Sequence, residues 1–239
     1  MKNKIVLITG ATSGIGKACA LYFAKKNFIV LLHGSSQKSD FSVLKEIKQK
    51  GGKAYPLVAD FLKEKEIEKM FVKIKQENKK IDVLINNAGM VNRKNAFDLK
   101  SEDFQKLFMV NVTAPFLCAK QAKNLGATSI VNIGSMRGFP SGATTIDYSA
   151  SKAALHNLTV SLARAFAPSC RVNCIAPGFT KTPLHDSSPE RLKIESTKTP
   201  LLKYALPEEI AQSVYFLSSE KSSFTTGAVL LIDGGRSFA

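Results

Sequence analysis

Short apolar runs alternate with stretches of helical period along nearly the whole chain. Seven runs have strand length: Lys4 to Thr9, Phe28 to His33, Ala54 to Ala59, Val83 to Asn86, Ser129 to Gly134, Arg171 to Ile175 and Ala228 to Ile232. Between them, spacing predicts helices near Gly14 to Lys26, Asp40 to Lys50, Lys63 to Asn78, Ser101 to Asn124, Tyr148 to Phe166 and Pro207 to Ser218. Strand and helix in alternation, joined by right-handed crossovers, predict an α/β fold: a doubly wound parallel sheet of seven strands with helices on both faces. A single domain over residues 1–239 is expected. One segment breaks the rhythm, Thr182 to Leu202, where Pro183, Pro189 and Pro200 bracket a polar stretch with His185, Asp186, Ser187, Ser188 and Arg191. It follows the sixth strand on the ligand-binding edge of such a sheet, so it reads as a substrate lid, with a plain surface excursion as the alternative.

Composition narrows the class. With 239 residues, 44% hydrophobic and 22% charged, the chain can bury one large core. Its longest apolar runs, such as Ile5 to Ile8 and Ile29 to Leu32, fall far short of the roughly 20 residues that span a bilayer. Met1 to Lys4 leads straight into a strand, leaving no room for a secretory leader. A soluble cytoplasmic protein without a membrane partner is expected. Cys19, Cys118, Cys170 and Cys174 sit in apolar patterns without close C-x-x-C spacing, so they read as reduced buried thiols and no metal is expected. A formal net charge of +15 invites an acidic partner, nucleic acid included. The lysines are scattered along amphipathic helices with Glu64, Glu66 and Glu68 interleaved, which reads instead as solvated helix faces.

Between the first strand and first helix the chain reads Thr9-Gly10-Ala11-Thr12-Ser13-Gly14-Ile15-Gly16. Glycines there let the backbone turn tightly against a pyrophosphate, which meets the free N–H groups at the helix start. A dinucleotide is therefore expected on Gly10, Thr12, Ser13, Gly14, Ile15 and Gly16. After the second strand, Leu32-His33-Gly34-Ser35-Ser36-Gln37-Lys38 carries no acid before Asp40. An acid at that place would bond the ribose hydroxyls of NAD and repel the phosphate of NADP. With His33, Ser35 and Ser36 there instead, NADP(H) is preferred and NAD(H) remains possible. Asp60, with Phe61 after the third strand, is placed either to touch adenine or to cap the next helix.

Tyr148 and Lys152 are four residues apart, so both lie on one helix face, thirteen positions beyond Ser135. An ammonium beside a phenol eases loss of its proton. Moving a phenol from pH ~10 to about 7 takes roughly 4 kcal/mol, within the reach of one adjacent cation and a cofactor charge.

Taken together, Thr9-Gly10-x-x-x-Gly14-x-Gly16, Asn86-Asn87-Ala88-Gly89, Asn111, Ser135, Tyr148-x-x-x-Lys152 and Pro177-Gly178 resemble the short-chain dehydrogenase/reductase family over essentially the whole chain. The resemblance implies a Rossmann-like fold and a hydride transfer. Tyr148 would then be the general acid or base, Ser135 would hold the substrate oxygen, and Lys152 would lower the tyrosine pKa and bind the nicotinamide ribose. Asn111 would orient a water for proton resupply. Asn86, Asn87, Ala88 and Gly89 would line the adenosine ribose and cleft floor, and Pro177, Gly178, Thr180 and Thr182 would flank the nicotinamide.

The ending, Leu201 to Ala211 followed by Phe224 to Ala228 and Ile232-Asp233-Gly234-Gly235, is similar to 3-oxoacyl-(acyl-carrier-protein) reductases of fatty acid biosynthesis and to sugar and alcohol dehydrogenases. Lys123 to Thr128 lacks the basic cluster expected for docking an acidic carrier, and Met90 to Asn95 is not that subfamily's loop. The pocket candidates Met90, Met136, Arg137 and Phe139 mix apolar and cationic character. An acyl-carrier-linked substrate leads, with another small carbonyl, sugar or polyol as the alternative. A dinucleotide-sensing regulator or nucleic-acid-binding protein is the reading from another class. It is disfavoured because sensing needs no proton donor, so no nucleic acid is expected. The family resemblance also implies a homotetramer through the helices at Ser101 to Asn124 and Tyr148 to Phe166.

Overall fold

A computed structural model of the chain describes residues 4–77, 80–140, 145–184 and 188–238. The strands are β1 (Ile5–Ile8), β2 (Ile29–Gly34), β3 (Ala54–Val58), β4 (Val83–Asn86), β5 (Ser129–Ile133), β6 (Arg171–Pro177) and β7 (Val229–Ile232). The helices are α1 (Gly14–Lys25), α2 (Ser42–Gln49), α3 (Glu64–Gln76), α4 (Ser101–Phe108), α5 (Ala114–Asn124), α6 (Ile146–Phe166), α7 (Pro189–Thr197) and α8 (Pro207–Ser218). The sheet runs β3-β2-β1-β4-β5-β6-β7, and every pairing is parallel. The expected single-domain, seven-stranded Rossmann-like α/β architecture is thus present.

Side chains on successive strand positions point to opposite faces, which divides the core in two. Val6, Ile8, Val30, Leu32, Val83, Ile85, Val131 and Ile133 pack with buried residues of α1, α2 and α8. Leu7, Leu31, Leu84 and Ile130 pack on the other face against α3, α5 and α6. Because both faces are covered, the strands read as continuous apolar runs rather than alternating ones.

Two helical expectations change. The stretch from Ser101 to Asn124 is two helices joined by a π-helical turn, Met109–Thr113. Pro115, in the first turn of α5, has no N–H for the carbonyl of Asn111 four residues back, and a wider turn is the local answer. The segment predicted as a lid contains α7, whose polar composition hid it; His185, Asp186 and Ser187 lie outside the described residues. No helix among the described residues is long and apolar enough to cross a membrane.

Candidate active site

The chain winds outward from β1 to β3 in one direction and from β4 to β7 in the other, so the carboxyl ends of β1 and β4 meet at a switch point. A crevice opens there in sheets of this kind. In this one, a cleft of about 600 Å³ is lined by both strand ends and by the ends of β2, β3, β5 and β6. The Asn87 amide donates 2.9 Å bonds to the carbonyls of Thr9 and Gly10, while the Thr9 hydroxyl accepts 2.9 Å bonds from the N–H groups of Asn87 and Ala88. These bonds clamp the glycine turn in place.

The clamp leaves no room for a side chain. A Cβ on Gly16 would stand 2.1 Å from the Gly10 carbonyl oxygen and 2.4 Å from Asn87 Nδ2, and Gly10 itself has φ +62°. Ser13 at the start of α1 makes no side-chain cap bond, so the first amides of that helix are left for a ligand. The donor set and the tight backbone fit a dinucleotide pyrophosphate.

His33, at the end of β2, is buried. Its Nδ1 accepts the Gly10 N–H at 3.1 Å, and its Nε2 lies 2.9 Å from the Ala59 carbonyl, to which it donates in the tautomer this pairing requires. The ring stacks on Phe61 at 4.1 Å. Burial pulls its pKa down from 6.5 to about 4, against a smaller opposing effect of the Ala59 bond. His33 therefore lines the cleft as a neutral ring with both nitrogens engaged, which leaves it no charge and no free ring N–H to offer a 2′-phosphate. Beyond it, Ser35 lines the cleft and Ser36 does not; the exposed Ser36 backbone N–H goes to Ser39 Oγ at 3.1 Å. Asp40, the first acid, accepts from Ser42 N at 2.8 Å and Ser42 Oγ at 3.1 Å. Asp60 lines the cleft and accepts the Leu62 N–H at 3.0 Å in the turn before α3; it does not cap that helix, whose N-cap position is Lys63.

At the far end of the cleft the Tyr148 hydroxyl is hydrogen-bonded to Ser135, whose Oγ also accepts the Arg137 N–H at 3.1 Å. Burial raises the phenol pKa above its ordinary value; the Ser135 bond and the charge of Arg137 pull it back only in part. Within the protein alone, desolvation outweighs the Ser135 bond and the Arg137 charge; the expected lowering of the phenol pKa counted on a cofactor charge as well as on Lys152. The neutral phenol is the form that donates a proton. Lys152 is buried, with Nζ 5.6 Å from the Tyr148 ring centroid and 2.8 Å from the Ile133 carbonyl that it donates to. Burial lowers its pKa from 10.5 to about 8.

Asn111 occupies the π-turn and is fully buried. Its Oδ1 accepts from Met90 N at 2.9 Å, and its Nδ2 donates to Met90 O and Ser151 Oγ, both at 3.0 Å. The side chain therefore fixes the wall after β4, while its main-chain carbonyl is the one that Pro115 leaves without an α-helical donor. Gly89 lies between Asn111 and Lys152: a Cβ there would be 3.3 Å from Asn111 Oδ1 and 3.7 Å from Lys152 Nζ.

Of the other predicted residues, Gly10, Thr12, Ser13, Gly14, Ile15, Phe61, Asn87, Ala88, Gly89, Pro177, Gly178, Thr180 and Thr182 all line the cleft. Gly16 lies behind the turn, and Asn86 points into the interior, donating to Pro115 O at 3.1 Å and Asn132 Oδ1 at 2.9 Å. The sequence reading missed His156. Its Nε2 is 3.5 Å from Ser135 N, its ring is 5.0 Å from that of Phe139, and burial lowers its pKa to about 4, helped by the charge of Lys152. The signal was its place on the inner face of α6, eight residues after Tyr148.

A family profile described as enoyl-(acyl carrier protein) reductase matches residues 10–237. The chain is 36% identical over 242 residues to a 3-oxoacyl-(acyl-carrier-protein) reductase from Thermotoga maritima, covering 98% of each chain. It is 36% identical over 248 residues to a 3alpha-hydroxysteroid dehydrogenase from Mediterraneibacter gnavus, covering 98% of this chain and 97% of that one. Among solved structures, one from Beutenbergia cavernae, provisionally assigned as an NAD(P)-dependent gluconate 5-dehydrogenase with NADP bound at low occupancy, superposes with a TM-score of 0.92. That chain is 30% identical, with coverage of 99% of this chain and 97% of that one.

Proposed function

Given that the chain belongs to the short-chain dehydrogenase/reductase family and is an NAD(P)-dependent oxidoreductase, we propose that it uses NADPH to reduce a carbonyl to an alcohol, with Tyr148 as proton donor. The observation that carries this reading is the Tyr148 phenol bonded to Ser135 at the end of a cleft whose other end is lined by the glycine turn. The nicotinamide supplies the hydride when bound. Ser135 and Tyr148 bond the substrate oxygen as charge develops on it, and the phenol gives up its proton there. Lys152 holds a positive charge close to that phenol and offers donors to the nicotinamide ribose. Asn111 fixes Met90 and Ser151 around them.

NADPH over NADH is supported by the end of β2. His33 is neutral, Asp40 is engaged with Ser42, and Ser35 and Lys38 are exposed where a 2′-phosphate would lie. The segment over 182–202 serves as the lid: Thr182, Pro183 and Leu184 line the cleft, and its base is tied by the Lys181 N–H to Ala205 O bond at 3.0 Å. Four free buried cysteines suit a reducing cytoplasm. The assembly proposed is a homotetramer through the faces of α4, α5 and α6, where Phe116 is exposed.

For the substrate, a 3-oxoacyl group on a carrier protein is the reading supported by likeness to the Thermotoga reductase. A second reading, a small free carbonyl compound, is favoured by the cationic Arg137 beside the reacting position. Titrating NADPH and NADH by fluorescence tests the cofactor choice, and tighter NADH binding would refute it. Tyr148→Phe should keep NADPH binding while losing at least a hundredfold in kcat; full turnover would remove the phenol from the mechanism.

A further inference from the structure

Three arginines of the described chain are half-buried: Arg137, Arg171 and Arg236. Two of them spend their guanidinium inside the protein. Arg171 donates to the carbonyls of Leu217, Thr225 and Ser219, and Arg236 pairs with the buried carboxylate of Glu195. Arg137 is different. Among the described residues its guanidinium has neither a hydrogen-bond acceptor nor an ion-pair partner, and its one bond is from its backbone N–H to Ser135 Oγ. A guanidinium with no protein partner keeps its donors available to an anionic ligand.

Its position is fixed by the fold rather than by a flexible loop. Arg137 is the middle residue of a 3₁₀ turn, Met136–Gly138, that leaves β5 directly after Ser135. That turn is pressed onto α6, since a Cβ on Gly138 would stand 2.4 Å from the His156 ring and 2.8 Å from the Lys152 backbone. The guanidinium is near enough to the Tyr148 hydroxyl for its charge to pull the phenol pKa down. A cation two residues beyond the oxygen-holding serine, on a turn whose backbone bonds that serine, stands at the side of the cleft where the part of the substrate next to the reacting carbonyl would lie.

We propose, resting on the oxidoreductase reading above, that the substrate is an oxo acid whose free carboxylate binds the unpaired Arg137 guanidinium beside Ser135. A planar guanidinium and a carboxylate match as two parallel charge-assisted hydrogen bonds, which fixes the carbonyl's orientation as well as holding the substrate. An acyl thioester on a carrier presents only neutral atoms at that distance, so this pairing selects the small free acid over the carrier-linked chain. The reaction balances with the established chemistry: the oxo acid gains a hydride at its carbonyl carbon and a proton at oxygen, becoming a hydroxy acid, and NADPH becomes NADP⁺.

The test compares matched substrates in the full-length enzyme with NADPH: a series of 2-oxo and 3-oxo acids of four to eight carbons, each beside its methyl ester. The wild type is expected to show kcat/KM at least about tenfold higher for an acid than for its ester. Arg137→Met is expected to raise KM for that acid by about thirtyfold while leaving the ester within threefold, and Arg137→Lys to recover part of the loss. Overturning results are a series in which no acid exceeds its ester, or an Arg137→Met enzyme that weakens acid and ester alike. If esters or thioesters are reduced in a Tyr148-dependent way without any preference for the acid, the oxidoreductase reading stands and this inference falls. If no carbonyl oxidises NADPH at all, both fall.

Discussion

His33 offers a prediction that depends on its burial, whatever the substrate. In the fold its pKa stands at about 4 against an ordinary 6.5. As pH falls, the unfolded chain takes up the proton first, so stability is fully present above about pH 6.5 and drains between there and about pH 4. At ~1.4 kcal/mol per pH unit the whole difference is worth ~3 kcal/mol, of which about 2.5 kcal/mol is gone by about pH 4.5. His33→Asn sets Oδ1 near the place of Nδ1, so it keeps an acceptor for the Gly10 N–H. It loses the donor to Ala59 and the stack on Phe61. Losing that donor costs about 1–3 kcal/mol and losing the stack about 0.5–1.5 kcal/mol at neutral pH. The variant carries no titrating ring, so the stability gap between it and the wild type should narrow by about 2.5 kcal/mol between about pH 7.5 and pH 4.5. Urea denaturation at several pH values measures this. His156, also held at about 4, contributes equally to both proteins and cancels. Parallel curves would refute a buried neutral His33. A second readout separates the two nitrogens: His33→Asn should bind NADPH within about threefold of wild type. His33→Gln, which reaches Ala59 but not Gly10, should weaken binding about tenfold, or ~1.4 kcal/mol.

Two further predictions follow from the same cleft. Gly16→Ala puts a methyl 2.1 Å from the Gly10 oxygen and should weaken NADPH binding by about a hundredfold or more, read by fluorescence titration, and near-normal affinity would show that the turn can yield. Lys152, held at about 8 by burial, should lose its proton as pH rises through that value, so kcat/KM for carbonyl reduction should fall above about pH 8; the raised Tyr148 stays protonated there and is not the source of that limb. Lys152→Arg, charged throughout, should lack the limb, and an unchanged limb would assign it elsewhere.

The seven strands, the glycine turn and the grouping of Tyr148 with Lys152 could all be read along the chain, because each rests on short-range rules. Strand runs covered on both faces read as continuous apolar stretches, glycines mark backbone that tolerates no Cβ, and a four-residue step on a helix puts two side chains together. Expectations failed for two local reasons and, more consequentially, where distant segments decide the outcome. The π-turn at Asn111 required seeing what Pro115 withholds from the turn before it, and α7 had no apolar stripe to announce it. His33 looked like a partner for a phosphate because its neighbours along the chain are polar. Only the fold brings the Gly10 N–H, the Ala59 carbonyl and the Phe61 ring around it and makes it neutral. The same holds for Tyr148: spacing placed a cation within reach of the phenol, and only the fold added the burial that works against its ionisation. Sequence determined which groups this protein possesses and on which elements they ride. Tertiary structure decided their protonation and their partners, since desolvation and long-range hydrogen bonds depend on which distant residues close around each group.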